Sequence, residues 1–297
     1  MRLARVRATA YPKLTLSLRV LGRRDDGFHD LDALVVSLGQ PQDVLEAYAV
    51  PAPGGVQIEV GPGDAGRDIP ADHTNLAFIA AEKLLVRAGR SGHGVRLVLR
   101  KRIPAGAGLG GGSADAAAAL LAVRELLDVD VDDAGLLELA AEVGSDVPFC
   151  VRGGAARMRG RGERIDPVEI PRGLAFLVAL PPFGLSTPEV YAAWDRLGGP
   201  QATRTVPSPR RLAGVIDELV NDLEPAAEAV EPRLREFRAT LESVAGNPAI
   251  LAGSGSAYVV PVPDARRLPA LVDQVSRSMR VPVVGTTTVS RGVRLAS

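Results

Sequence analysis

Hydrophobic and polar positions alternate along several short segments in the first hundred residues. Alternation with a period of two is typical of a half-buried β-strand. It predicts strands over residues 5–9, 14–21, 44–50, 56–60 and 95–100. Between the last two segments, apolar residues recur at helical spacing, which predicts an amphipathic helix over residues 74–88, capped by Thr74 and stopped by Gly89.

Helical periodicity dominates from Ser113 onwards. Ser113 suits a helix N-cap, and the alanine- and leucine-rich run after it predicts a helix to Leu127. A second helix over residues 133–143 and a glycine-rich strand region over residues 153–164 follow. The pattern of the second half predicts strands over residues 174–180 and 283–289, and helices over residues 189–197, 209–220, 225–243 and 268–279.

This mixture of strands and helices predicts an α+β fold. A length of 297 residues fits two medium domains better than one small one. We expect the first domain to span residues 1–160 and the second to span residues 161–297. No low-complexity linker marks the boundary, which the pattern places near residues 157–171.

Composition is that of an ordinary globular protein. Apolar residues make up 46%, charged residues 24%, and the formal net charge is zero, so no basic field favours nucleic acid. The apolar tracts are far shorter than the roughly 20 residues that span a bilayer, and the N-terminus lacks the apolar core of a secretory signal. The only cysteine, Cys150, lies in an apolar stretch. We therefore expect a cytoplasmic monomer or homodimer that binds neither nucleic acid nor membrane.

The segment over residues 104–115, PAGAGLGGGSAD, separates a predicted strand from a predicted helix. Glycines let backbone N–H groups converge on an anion, and a helix N-terminus adds free donors and positive potential. Phosphate is the ligand that this arrangement favours. A flexible hinge or a tight strand-to-helix turn would produce a similar cluster of glycines.

Two common phosphate-binding motifs do not fit this glycine loop. Residues 106–111 formally match the dinucleotide pattern GxGxxG, but the next helix leads to another helix and not to a strand that ends in an acidic residue. A P-loop requires lysine directly before Ser113, where the chain has Gly112. The compensating positive charge must therefore come from another segment.

The glycine loop resembles the central motif of the GHMP kinases, the superfamily of galactokinase, homoserine kinase and mevalonate kinase. Two further segments resemble other motifs of the family: an N-terminal strand bearing Lys13, and the sequence GSGS at residues 253–256 before a strand. The resemblance implies a two-domain GHMP kinase fold, with an N-terminal domain like domain 2 of ribosomal protein S5 and a ferredoxin-like C-terminal domain. It also implies a small-molecule kinase that uses ATP and Mg²⁺.

Further segments are similar to a branch of the family whose substrate is a small hydroxylated molecule linked to cytidine diphosphate. They cover residues 12–31, 144–149, 160–163, 186–191 and 221–224. The chain departs from the branch at Thr15, where asparagine is usual, and at Phe28, where tyrosine is usual. These departures leave open a GHMP kinase of the homoserine or mevalonate type, or a nucleotide-binding paralogue without catalysis.

The resemblance implies that Lys13 and Asp146 are catalytic, with Asp146 as the general base and Lys13 orienting it. Local pattern alone would make Lys13 a solvent-facing lysine and Asp146 a cap. ATP is expected to contact Asn75, Leu76, Lys101, Pro104, Gly106, Gly108, Leu109, Gly110, Gly111, Gly112, Ser113, Ala114, Gly253 and Ser254. Ser113 is also the expected Mg²⁺ ligand, while a plain surface lysine is an equally good interpretation of Lys101.

The expected substrate contacts are Thr15, Phe28, His29, Thr187 and Tyr191. The resemblance implies that Phe28 stacks on the cytosine and that His29 hydrogen-bonds its edge. Taken as local patterns, the same positions are equally compatible with ordinary aromatic packing and helix capping.

Overall fold

The computed structural model describes residues 4–51, 53–61, 69–171, 173–199 and 219–296. Strands and helices occur in separate runs along these ranges, as expected for an α+β protein. The helix predicted over residues 209–220 lies almost entirely outside the described residues.

The strands are short and distributed along the whole chain. They are β1 (Arg5–Ala10), β2 (Lys13–Arg23), β3 (His29–Leu38), β4 (Asp43–Val50), β5 (Val56–Val60), β6 (Gly94–Arg100), β7 (Ala155–Gly160), β8 (Arg164–Pro167), β9 (Ala175–Ala179), β10 (Val220–Asn221), β11 (Ile250–Leu251), β12 (Tyr258–Val262), β13 (Val283–Val289) and β14 (Val293–Ala296). The helices are α1 (Leu76–Arg87), α2 (Gly111–Leu126), α3 (Asp133–Val143), α4 (Val147–Arg152), α5 (Thr187–Arg196), α6 (Glu224–Val230), α7 (Arg233–Ala245) and α8 (Leu268–Met279).

These strands form two sheets. The first has the order β14-β1-β4-β6-β5, antiparallel except for β5 and β6, which are parallel and joined through α1. The second runs β10-β2-β3-β13-β9-β12-β11, with β7 paired to β3 and β8 paired to β7. Strand β2, which carries Lys13, therefore lies near one edge of the second sheet.

Helix α2 is the central helix of the first half. It packs on β1 and β4 of the first sheet and against α1, and its alanines from Ala114 to Ala122 are fully buried. Small side chains let a helix approach a sheet closely, and a helix that is apolar on every side is stable only when it is covered. Among the described residues, none of the helices has the length and apolar character needed to cross a membrane.

The N-caps predicted for α1 and α2 are wrong by one and three residues. Helix α1 is capped by Asn75, whose Oδ1 accepts a hydrogen bond from the Ala77 N–H at 2.9 Å, while Thr74 bonds Asp72 instead. Helix α2 begins at Gly111, so Ser113 lies inside its first turn. Its cap is Gly110 in the left-handed conformation, with φ of 67°, which favours glycine.

Strand pairs cross the expected domain boundary at four places. Strand β8 pairs with β7, β10 pairs with β2, β13 pairs with β3, and β14 returns to pair with β1. The last strand of the described chain thus completes the sheet that the first strand begins. The division into residues 1–160 and 161–297 stays a prediction.

Candidate active site

A cleft of about 800 Å³ opens where the glycine loop meets β2, α5 and the turn before β12. This volume is at the upper end of the range for small-molecule sites, roughly 300–1,000 Å³. Most of the site residues predicted from the sequence lie along this cleft. They are Lys13, Thr15, Phe28, His29, Pro104, Gly106, Gly108, Leu109, Gly110, Gly111, Gly112, Ser113, Asp146, Thr187, Tyr191, Gly253 and Ser254.

The glycine loop is seated on the turn before β12. Gly106 O accepts the Ser256 N–H at 2.9 Å. Gly108 has a φ of 76°, and a Cβ added there would lie 1.7 Å from Ala252 O. Only glycine fits so close an approach of two backbones, so this contact fixes where the loop runs.

Lys13 reaches under the same loop from the start of β2. Its backbone N–H donates to Leu109 O at 2.9 Å, and a Cβ on Gly110 would lie 2.7 Å from Lys13 Cγ. The ammonium group lies 3.3 Å from Asp146 Oδ2 and donates to Thr15 Oγ1 at 3.2 Å. The cleft therefore receives its lysine from a distant segment, as the missing P-loop lysine requires.

Asp146 is positioned by the start of α4. It occupies the N-cap position of that helix, yet its side chain forms no capping hydrogen bond. The carboxylate is about one-third exposed and pairs with Lys13. One acid and one lysine thus face the cleft beside the loop, an arrangement suited to proton removal next to a phosphoryl group.

The turn that carries Gly253 and Ser254 forms the opposite wall. Asn221 donates from Nδ2 to Gly253 O at 2.6 Å and to Leu251 O at 2.8 Å, and Ser254 Oγ lies 2.7 Å from Thr187 Oγ1. A Cβ on Gly253 would lie 3.3 Å from Lys13 Nζ. The turn is therefore anchored by side chains and leaves space for the lysine.

An aromatic pocket forms one wall of the cleft, with His29 and Tyr191 among the lining residues. The His29 ring is stacked on Tyr191 at 4.8 Å between centroids and meets Trp194 edge-on at 5.3 Å. His29 Nε2 lies 2.8 Å from Asp195 Oδ1. Burial, with the negative charge of Asp146 in addition, raises the pKa of Tyr191, so its phenol stays neutral at physiological pH.

Phe28 stands at the mouth of this pocket and is half exposed. The guanidinium carbon of Arg161 lies 4.6 Å from the centre of its ring, within cation–π distance. An exposed aromatic face beside a cleft is available for stacking with a planar ligand.

Four of the residues expected to contact ATP do not line the cleft. Asn75 caps α1, Ala114 is buried in α2, and Leu76 packs behind the loop, with Cδ1 3.3 Å from the position of a Cβ on Gly112. Lys101 lies beneath the loop, so it is neither in the cleft nor at the surface, the two positions that the sequence left open. Its side chain is only 1% exposed.

The Lys101 ammonium group is enclosed by the carboxylates of Asp43 and Asp115, the latter at 2.6 Å. Burial alone would lower the pKa of Lys101, but these two carboxylates outweigh it and the net shift is upward. Burial raises the pKa of Asp115 well above its usual range. Asp43 also accepts the N–H of Ile103 at 2.8 Å, so the cluster ties the entry of the loop to the start of α2.

Three charged residues of the cleft were not predicted from the sequence: Arg23, Arg161 and Asp195. Asp195 lies four residues after Tyr191 on α5, a spacing that places two side chains on one helix face. That spacing was a usable signal. Nothing in the local sequence indicates that Arg23, at the end of β2, faces the same pocket.

Fold and site together define a GHMP kinase. A family model described as the GHMP kinases N terminal domain matches residues 75–154. Homoserine kinase from Cytophaga hutchinsonii shares the fold, with a TM-score of 0.73 at 19% identity, covering 100% of this chain and 98% of that one. A mevalonate kinase from L. major gives 0.70 at 15% identity and covers 95% of each chain.

Relatives of higher identity define one branch of that class. The 4-diphosphocytidyl-2-C-methyl-D-erythritol kinase of Pelotomaculum thermopropionicum is 40% identical over 255 residues, 84% of this chain and 86% of the relative. That of Streptomyces coelicolor is 38% identical over 266 residues, 86% of each. A crystal structure of 4-(cytidine 5'-diphospho)-2C-methyl-D-erythritol kinase superposes with a TM-score of 0.77 at 33% identity, covering 95% of this chain and 98% of that one. The chain belongs to this family of ATP-dependent small-molecule kinases.

Proposed function

We propose that the protein transfers the γ-phosphate of ATP to the 2-hydroxyl of 4-diphosphocytidyl-2-C-methyl-D-erythritol, in non-mevalonate isoprenoid precursor biosynthesis. The observation that carries the proposal is that one cleft joins the Lys13–Asp146 pair and the glycine loop to the pocket around His29. The names of the relatives support the same substrate.

Asp146 acts as the general base in this proposal. Its carboxylate accepts the proton of the substrate hydroxyl as that oxygen bonds to the γ-phosphorus, and the bond to the leaving ADP oxygen breaks. Lys13, 3.3 Å away, orients the carboxylate and brings positive charge to the phosphoryl group as it moves. Most of the catalytic effect is positioning and charge neutralisation.

The glycine loop holds the triphosphate. Its backbone N–H groups and the N-terminus of α2 supply donors and positive potential, and the turn at Gly253 and Ser254 closes the other side. The seating of Gly108 on Ala252 keeps these two walls at a fixed separation.

The residues present fit a Mg²⁺ ion held mainly by phosphate oxygens. Ser113 lines the cleft in the first turn of α2 and offers one hydroxyl oxygen. Within the described ranges, no group of three or more His, Cys, Asp or Glu side chains could hold a metal ion without the nucleotide. Mg²⁺ commonly takes few protein ligands beside phosphates and water, and when bound it neutralises phosphate charge.

The aromatic pocket accepts the cytosine. Phe28 offers an exposed ring face for stacking, His29 a ring nitrogen for the base edge, and Tyr191 the surface that holds His29. Thr15 and Thr187 also line the cleft and contact the remainder of the substrate. Homoserine and mevalonate carry no aromatic base that would fill the pocket.

The remaining expectations belong to the same proposal. We propose a cytoplasmic enzyme, a monomer or homodimer, without nucleic-acid or membrane partners; the zero net charge supports the absence of nucleic acid, and the single buried cysteine fits a reducing compartment. Residues 1–160 form its ATP-binding domain and residues 161–297 its second domain.

The direct test is a coupled assay of ADP release with three acceptors at equal concentration: the cytidine compound, homoserine and mevalonate. We expect turnover with the cytidine compound and at most background rates with the other two. Turnover only with homoserine or mevalonate would assign a different GHMP kinase activity. No turnover with any acceptor, despite tight ATP binding, would indicate a nucleotide-binding paralogue.

A further inference from the structure

Asp195 is a polar residue of the aromatic pocket that has no role in the proposed chemistry. It lies on α5, four residues after Tyr191, so one helix face presents both residues to His29. The His29 side chain is 7% exposed, and its Nε2 lies 2.8 Å from Asp195 Oδ1. The second oxygen of Asp195 faces the guanidinium of Arg23 at 3.6 Å.

An ionised carboxylate can only accept hydrogen bonds. The short contact with Asp195 therefore places a proton on His29 Nε2, and in a neutral ring it leaves a lone pair on Nδ1. The ring forms no other hydrogen bond with the described part of the chain. Because the two nitrogens point in different directions, Nδ1 is turned away from Asp195.

The ring cannot easily rotate to exchange its nitrogens. Tyr191 covers one face at 4.8 Å with an angle of 28° between the planes, and Trp194 meets the ring at 87°. Packing on two sides holds the ring orientation, and Asp195 then decides which nitrogen carries the proton. The helix α5 thus supplies both restraints.

We propose that Asp195 determines base specificity by fixing His29 as a hydrogen-bond acceptor at Nδ1. A pyrimidine with an exocyclic amino group donates to that lone pair, whereas a pyrimidine with a carbonyl at the same position meets it with a second acceptor. The site therefore selects a cytidine-type nucleotide over a uridine-type one. This inference rests on the proposed function, since it concerns the base of that substrate. Asp195 is a specificity-determining residue that acts through His29.

The kinetic test compares Asp195→Asn with wild type on the cytidine substrate and its uridine analogue. The amide oxygen of the new side chain is drawn to Arg23, so its NH₂ faces His29 and favours the other tautomer, with Nδ1 protonated. Wild type should prefer the cytidine substrate by roughly 10- to 100-fold in kcat/KM, because the uridine carbonyl would place a second acceptor against the lone pair of His29 Nδ1. In the variant this preference should fall at least about tenfold, through KM more than kcat.

Glu189→Gln is the matched control, because Glu189 is an exposed carboxylate on α5 that does not line the cleft. It should leave the cytidine-to-uridine ratio unchanged. Both variants should retain wild-type affinity for ATP, which shows that each is folded. An unchanged ratio in Asp195→Asn would overturn the proposal.

A second measurement does not depend on turnover. Long-range ¹H–¹⁵N correlation spectra, assigned with His29→Gln, distinguish a protonated ring nitrogen from one with a lone pair. At pH 8 we expect wild-type His29 with the proton on Nε2 and Asp195→Asn with it on Nδ1. A wild-type ring protonated on Nδ1, or on both nitrogens, would contradict the inference.

The two measurements separate this inference from the proposed function. If the cytidine compound is not phosphorylated but the spectra show the Nε2–H tautomer, the proposed function fails and the assignment to Asp195 stands as a statement about the pocket. If the compound is phosphorylated but the tautomer is reversed, the specificity mechanism fails alone.

Discussion

At the scale of single residues, the chemistry depends on groups whose neighbours are unusual for their type. Lys13 would be a surface side chain on most strands, yet here its ammonium is nearly enclosed between Asp146, Thr15 and the glycine loop. Asp146 is the N-cap residue of α4, but its side chain forms no capping hydrogen bond, so its carboxylate oxygens are available to a ligand in the cleft. Each departure from the ordinary role makes a group available for phosphoryl transfer.

Asp146→Asn removes the proposed base and keeps the size of the side chain. We expect kcat to fall by about 10²- to 10⁴-fold, the usual contribution of general base catalysis. The dissociation constant for ATP, measured by calorimetry, should change by less than roughly twofold, because the loop that holds the phosphates is untouched. Asp130→Asn, at an exposed position, is the control and should match wild type. Retention of full activity by Asp146→Asn would remove this residue from the mechanism.

Cys150 should be an unreactive thiol. It is fully buried, and burial, with the nearby Asp146 charge in addition, raises its pKa above the usual value. The thiolate is the reactive form, so at neutral pH labelling by Ellman's reagent should be slow in the native protein and rapid in denaturant. The chain has no other cysteine, so the signal is unambiguous. Labelling of the native protein as fast as a free thiol would contradict the burial.

At the scale of elements, the conformation of the glycine loop is determined by its contacts with neighbouring segments. Just before the loop, Lys101 forms ion pairs with Asp43 and with Asp115 of α2, which connect the end of β6 to that helix. Within the loop, Gly108 packs directly against the turn before β12. The sequence predicted the loop and its helix but placed the cap at Ser113 instead of Gly110. Gly110 adopts the left-handed conformation where the loop passes over the Lys13 side chain. Lys13 is distant in sequence, so the local pattern around Ser113 does not predict this contact.

Gly108→Ala should displace the loop, because the new methyl group would overlap Ala252 O. We expect affinity for ATP to fall at least about tenfold, and stability to fall by roughly 1–3 kcal/mol from strain and overpacking. Gly89→Ala is the matched control. It has a φ of 65°, close to that of Gly108, but open space around the added Cβ. Equal effects in both variants, measured by urea unfolding and calorimetry, would show that backbone strain alone matters.

Lys101→Met should destabilise the fold by about 3–5 kcal/mol, because it leaves the carboxylates of Asp43 and Asp115 buried without their cation. Lys83→Met is the comparison, since the ion pair of Lys83 with Glu142 at 2.7 Å is exposed and should be worth at most about 1 kcal/mol. Urea unfolding of the two variants measures the difference. Similar losses in both would mean that the buried cluster contributes no more than a surface pair.

At the scale of the whole molecule, the site exists only because distant segments meet. The period-two and helical patterns predicted most strands and helices of the first half within a few residues. Strand β3 was not predicted, because it is buried along most of its length and shows a continuous apolar run instead of alternation. Family resemblance supplied Lys13 and Asp146, and the spacing on α5 offered a signal for Asp195. Arg23 became visible only in the fold, where the end of β2 meets α5.

The whole-molecule account can be tested most directly by the identity of the phosphorylated product. With 4-diphosphocytidyl-2-C-methyl-D-erythritol, ATP and Mg²⁺, ³¹P NMR should show a new phosphomonoester resonance, in equal amount to the ADP formed, while the diphosphate resonances of the acceptor persist. Release of inorganic phosphate without a phosphomonoester would show that ATP is merely hydrolysed. A phosphomonoester formed only on homoserine or mevalonate would contradict the proposed substrate.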